Sequence, residues 1–120
     1  MNGQLEDVFF AYDNFNLSPE AVTALRRDAE LLRAILREFP QLQITVEGHC
    51  DERGSAEYNV GLGDRRATRA VTSLAQFGLP PANFVPVSYG KEAPQCTDSS
   101  ESCWKRNRRA HFVVRLNATN

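Results

Sequence analysis

No stretch of this 120-residue chain approaches the ~20 apolar residues that a membrane-crossing helix needs. Charge of one sign is also lacking. Fourteen lysines and arginines face 15 aspartates and glutamates, a formal net charge of −1, so no bulk attraction to nucleic acid or acidic lipid is built in. Two histidines and three cysteines leave few ways to assemble a metal centre or a nucleophile with its base. Internal repeats and low-complexity tracts are missing, so residues 1–120 read as one globular domain with a core from about 5 to 116. No signal peptide is visible, because Met1-Asn2-Gly3 runs straight into the domain.

What is present organises itself around Val46 to Leu74. Ile44, Val46 and Gly48 alternate as the end of a strand spanning Leu42 to Gly48. A polar loop, His49 to Gly54, follows, and Ser55 is placed to cap a helix over residues 55–77 that Gly78 closes. On that helix Val60, Ala67, Val71 and Leu74 fall on one face, with Gly63 and Ala70 beside them and Asn59 and Arg66 on its shoulder. Gly61 and Gly63, each unfavourable by roughly 1 kcal/mol against alanine, suggest a close approach there.

Upstream, Val8, Phe9, Phe10 and Tyr12 make a first strand over residues 6–11. Ser18-Pro19 opens an amphipathic helix whose apolar side is Val22, Leu25, Ala29, Leu32, Leu36 and Phe39, and Pro40 ends it. The opposite side, with Arg26, Arg27, Glu30, Arg33 and Arg37, is a solvated surface. Phe84 to Tyr89 is a third strand, and Pro86 within it argues for a sheet edge. A long loop then leads through a helical turn at Cys103 to Arg106 into a last strand from Ala110 to Leu116. The order is βαβαββ, and parallel crossovers put both long helices on one face of the sheet.

Arg66 and Asp51 admit two readings. An arginine fork takes a carboxylate bidentately while an aspartate takes an amine, so the pair suits a zwitterionic amino-acid ligand. The alternative is an intramolecular Asp51–Arg66 salt bridge that closes the loop onto the helix.

The runs GHCDERG, AEYN, LG and RRA, then SYGKE and KRNRRAHFVV, resemble the OmpA-like peptidoglycan-binding domain, and within it the lipoprotein branch of Gram-negative bacteria. Asn59, Leu62, Gly63, Arg66, Ala67 and Leu74 fill the family's helix pattern, with Ala70 and Val71 departing from it at the valine position. The resemblance implies an α+β two-layer sandwich with a four-stranded mixed sheet, order 1-4-2-3, strand 4 antiparallel. It implies that Asp51 and Arg66 grip the diaminopimelate of a peptidoglycan stem peptide. Asn59 and Asn107 would add polar contacts, and Tyr12, Asp13, Gly48, His49, Leu62 and Gly63 would form walls and backbone contacts. It also implies a periplasmic, outer-membrane-anchored location, with the lipid anchor outside this chain, and a periplasmic β-propeller protein of the Tol system as a partner. In that compartment Cys96 and Cys103 are expected to form a disulfide, the alternative being two free thiols; Cys50 is then the odd one.

Other chemistries fit less well. Adjacent residues of an extended chain point to opposite sides, so His49 and Cys50 do not form a catalytic pair. Four consecutive residues, His49 to Glu52, cannot converge on one metal ion, and no cofactor motif is present. Lys105 to Arg109 is a basic cluster beside Trp104, a weak nucleic-acid signal whose simpler reading for Arg106 and Arg109 is pairing with acids such as Glu101. The expected function is therefore non-catalytic wall binding that tethers the outer membrane. A protein-interaction module without wall binding is the other possibility.

Overall fold

A computed structural model describes residues 5–115. The elements are β1 (Val8–Phe9), α1 (Pro19–Glu38), β2 (Gln43–His49), α2 (Ala56–Gln76), a 3-10 turn (Pro81–Asn83), β3 (Phe84–Gly90), α3 (Glu101–Asn107) and β4 (Arg109–Arg115). The sheet order is β1-β4-β2-β3, with β2 and β3 parallel and β4 antiparallel to both β1 and β2. This is the expected topology, with Pro86 on an edge strand. β1 is shorter than the sequence pattern suggests, because only Val8 and Phe9 find ladder partners in β4. The helical turn near Cys103 is a full seven-residue helix, and Leu116 lies outside the described residues. Among the described residues, no helix is long and apolar enough to cross a membrane.

Local chemistry fixes the helix ends. Ser18 Oγ accepts the Ala21 N–H, and Pro19 occupies the first helical turn of α1, where its missing donor is no loss. Ser55 Oγ does the same for the Tyr58 N–H in α2. Between the layers, Ile44 and Val46 of β2 and Ala110 and Phe112 of β4 pack against Leu25, Ala29 and Leu32 of α1 and Ala67, Ala70 and Leu74 of α2.

One expectation about α2 needs correction. Its buried face runs through Asn59, Leu62, Gly63, Arg66, Ala67, Ala70, Ser73 and Leu74, whereas Val60 is 45% exposed. Asn59 and Arg66 thus lie within the packed face and not on its shoulder. What turns the helix this way is a backbone contact: a Cβ built on Gly48 falls 1.7 Å from the Gly63 carbonyl oxygen, and one on Gly63 falls 2.8 Å from the Gly48 oxygen. Gly61 has no such neighbour, its nearest being the Arg65 side-chain tip at 3.9 Å. Gly48→Ala should therefore destabilise the domain by about 3 kcal/mol, the upper part of the overpacking range. Gly61→Ala should stabilise it by roughly 0.5–1 kcal/mol in the same urea titration.

Asp28, on the inner side of α1, is fully buried. Its Oδ1 accepts the Glu6 N–H at 2.7 Å, while Oδ2 has no partner among the described residues. Burial, reinforced by the nearby Glu6 and Asp7, pushes its carboxyl up to about 7. A group whose folded value is raised adds stability below its unfolded value and loses it as pH rises through the folded one. Wild-type stability should accordingly fall as pH rises from about 4 to about 7, by at most about 1.4 kcal/mol per pH unit for one proton, and level off above that. Asp28→Asn should flatten that slope in denaturant titrations run across the range.

Candidate functional site

Strand end, loop and helix start enclose a cavity of about 130 Å³ lined by Tyr12, Asp13, Cys50, Asp51, Arg53, Gly54, Tyr58, Asn59, Leu62 and Arg66. Arg66 forms its base. The side chain is wholly buried, and its guanidinium donates to three backbone carbonyls: Nε to Asn14 (2.9 Å), Nη1 to His49 (2.9 Å) and Nη2 to Ala11 (3.0 Å). Its carbon centre lies 5.3 Å from the Phe10 ring. Among the described residues it has no carboxylate partner. Burial pushes the group below its ordinary value, yet an arginine stays charged in such surroundings. The cavity floor is thus a cation held by dipoles alone.

The intramolecular Asp51–Arg66 salt bridge does not form. Asp51 is buried and paired elsewhere: Oδ1 accepts the Arg53 N–H (3.0 Å) and Nε (3.2 Å), and Oδ2 accepts Arg53 Nη2 (2.7 Å) and Arg108 Nη1 (3.4 Å). Burial acts to raise its carboxyl, but the Arg53 hydrogen bonds and charge, aided by Arg108, outweigh it and hold the group below the usual carboxylate range. Sequence reasoning did not single out Arg53 or Arg108 for this site. Arg53 stacks between the rings of Tyr12 (3.9 Å) and Trp104 (4.0 Å). Arg108 also donates to the Phe10 carbonyl (2.8 Å) and pairs with Glu101 (2.9 Å).

The other expected residues divide into two groups. Tyr12, Asp13, Asn59 and Leu62 line the cavity with Asp51 and Arg66. Asp13 adopts a positive φ of 52° and accepts the Tyr58 hydroxyl, which fixes the turn after β1. Asn59 gives both amide hydrogens to the loop, to the carbonyls of Arg53 (2.7 Å) and Ser55 (3.0 Å), leaving Oδ1 as its atom for a ligand. Gly48, His49, Gly63 and Asn107 do not line the cavity. Gly48 and Gly63 bring strand and helix together, as above. His49 serves Arg66 with its carbonyl, while its ring contacts Glu47 (2.8 Å) and stacks on Tyr89. Asn107 holds the loop before α3, accepting the N–H groups of Gln95 and Cys96 and donating to the Cys96 carbonyl. The Cys96–Cys103 disulfide is formed, and Cys50 is free and buried, its thiol donating to the Asn59 carbonyl at 3.3 Å. Imidazole and thiol therefore face different partners. The basic cluster is not a patch: Arg108 and Arg109 are buried, the latter beside Asp7 at 3.6 Å and not Glu101.

An open mixed sheet, backed on one face by two long helices and bearing a charged cavity at the strand end, defines an α+β two-layer module. The family model for the OmpA family matches residues 9–109, and the chain belongs to that family. A peptidoglycan-associated lipoprotein of Agrobacterium fabrum is 43% identical over 107 residues, covering 89% of this chain and 58% of that protein. One from Pseudomonas aeruginosa is 43% identical over 104 residues, 87% of this chain and 59% of its own length. The chain thus spans just under three fifths of the length of these curated relatives, 58% and 59%. The crystal structure of the peptidoglycan-associated lipoprotein from Burkholderia pseudomallei matches with a TM-score of 0.81 at 34% identity, covering 91% of this chain and 89% of that one. The C-terminal domain of Helicobacter pylori MotB gives a TM-score of 0.85 over 96% of this chain and 88% of that one, but at 20% identity shares the fold alone.

The Asn59 clamp generates a test. Asn59→Asp keeps the shape but sets a carboxylate against two carbonyls, so the loop should loosen. We expect about 1–3 kcal/mol of destabilisation by urea titration and faster amide exchange at Arg53 and Gly54.

Proposed function

We propose that this domain binds peptidoglycan, taking an uncrosslinked stem peptide by its meso-diaminopimelate residue. Arg66 receives the side-chain carboxylate of that residue and Asp51 lies beside its side-chain amine. One observation carries the reading: Arg66 is a fully buried cation at the base of the cavity, held by carbonyls and without a carboxylate partner among the described residues. A ligand carboxylate supplies the missing counter-charge in a site where solvent screening is weak.

Such a contact is small and polar, so each copy binds modestly, and many copies facing a polymeric wall provide avidity. By kinship with the peptidoglycan-associated lipoproteins, the role is to tether the outer membrane to the wall in the periplasm. A lipid anchor would then belong to the part of those relatives' length that this chain does not span. A periplasmic β-propeller protein of the Tol system, and through it a part in envelope integrity and cell division, belong to the same proposal.

Arg66→Ala is a poor test, because it strips three buried carbonyls of their donor and unsettles the fold whatever the ligand. Competition avoids this. The domain should co-sediment with diaminopimelate-type sacculi, and a free stem tripeptide ending in meso-diaminopimelate should release it. The lysine-ended tripeptide, which lacks the side-chain carboxylate, should compete at least about tenfold less well, the worth of one charge-assisted contact. Equal competition by the two peptides, or no sedimentation at all, would sink the reading.

A further inference from the structure

Asp51 offers an incoming amine no free position. A carboxylate has about four lone-pair sites, and here four donors occupy them. These donors differ in how firmly they are held. The Arg53 N–H is part of the loop backbone. Arg108 is 7% exposed at its side chain and fixed by the Phe10 carbonyl and Glu101 as well. The Arg53 guanidinium alone is partly in solvent, at 31% side-chain exposure; Asp51 and two aromatic faces hold it in the cavity wall, with Glu101 further off at 4.0 Å.

On the strength of the functional reading above, we propose that the Arg53 guanidinium occupies the ammonium position of the site and is displaced when ligand binds. The seat it vacates is the slot between the Tyr12 and Trp104 rings, with the Asp51 carboxylate within hydrogen-bond reach of it. A slot between two aromatic faces beside an acid suits an alkylammonium for the same reason it suits a guanidinium, since both are drawn to the ring quadrupole. Arg53 is then a positioning and selectivity residue. It keeps Asp51 compensated in the free protein, and it makes any ligand without a cationic end compete against an arginine already in place. Trp104 becomes a wall of the ligand seat, although it sits on α3, remote in sequence from the loop and helix that supply the rest.

The test is calorimetric titration of wild type, Arg53→Gln and Trp104→Leu with the stem tripeptide ending in meso-diaminopimelate. The same peptide, acetylated on its side-chain amine, serves as the charge-free control. Arg53→Gln removes the competing cation, so it should bind the free-amine peptide up to about fivefold tighter, the upper end for a partly exposed ion pair. It should lose most of that advantage with the acetylated peptide. Trp104→Leu should bind the free-amine peptide several-fold more weakly. Since Trp104 is the sole tryptophan, its emission also reports the wild-type exchange directly and should follow the calorimetric curve. Wild-type binding with Arg53→Gln weaker or unchanged, in a variant that melts normally, overturns this inference and leaves the wall-binding reading intact. Should Arg53→Gln not fold, an unchanged Trp104 emission on saturating the wild type overturns it instead. Failure of wild type to bind any of these peptides overturns the functional reading and this inference together.

Discussion

The contact between Gly48 and Gly63 sets the geometry on which everything at the site depends. With no side chain on either residue, the backbone of α2 lies directly on the end of β2. Arg66 follows Gly63 by three residues, about one helical turn, so it inherits that proximity. Its side chain passes under the strand end and reaches carbonyls of His49, Ala11 and Asn14. A helix seated even one methyl group further out would lose that reach. Two residues with no chemistry of their own therefore decide where the reactive charge sits.

A buried cation satisfied only by carbonyl dipoles is unusual, because the transfer of a charge out of water normally demands a partner of opposite sign. Here the obvious partner is nearby but engaged. Asp51 is held by Arg53 and Arg108, so one lining arginine has no carboxylate partner while one carboxylate has two arginines; Asp13, the other lining acid, accepts the Tyr58 hydroxyl. That distribution is stable without ligand, since each group is hydrogen-bonded. It also leaves Arg66 as the lining arginine with no carboxylate bonded to it, the place that the proposed ligand's carboxylate would take. The proposed ligand's amine would then meet Asp51 already paired, and the partly exposed Arg53 is the group placed to yield.

Much of the architecture was legible in the residues. Ser18-Pro19, Pro40, Ser55 and Gly78 mark helix ends by chemistry that acts within one turn, and these marks hold whatever the tertiary context. Pro86 identifies an edge strand by the donor it lacks. The face of α2 was harder to read, because hydrophobic periodicity weights Val60 and gives no weight to Asn59 or Arg66. The better signal was the run of small residues Gly63, Ala67 and Ala70 at helical spacing, which marks closeness and not apolarity. Asp28 escaped notice for a similar reason. The arginines around it make that stretch read as a solvated face, although its position belongs to the buried side. The pairing of Asp51 with Arg108, 57 residues away, leaves no trace in any local pattern.

α3 shows how distant sequence supports the cavity. Seven residues are too few for a helix to persist alone. Three local devices hold it: Ser100 caps its start, Asn107 clasps the Gln95–Cys96 backbone, and the Cys96–Cys103 disulfide ties the preceding loop to its first turn. So fixed, it presents Trp104 to Arg53 and, just past its end, Arg108 to Asp51. The indole N–H reaches Glu52 at 3.0 Å, which binds α3 to the loop that carries the aspartate. The disulfide thus lies outside the cavity yet helps to position two of the groups around its acid. One of those groups is held by the Phe10 carbonyl and Glu101 as well, and the other is a ring against which the partly exposed Arg53 rests. The difference in exposure between Arg108 and Arg53, 7% against 31%, therefore follows from the structure around them: Arg108 is anchored at both ends of its fork, whereas Arg53 has Asp51, two ring faces and Glu101 only at 4.0 Å.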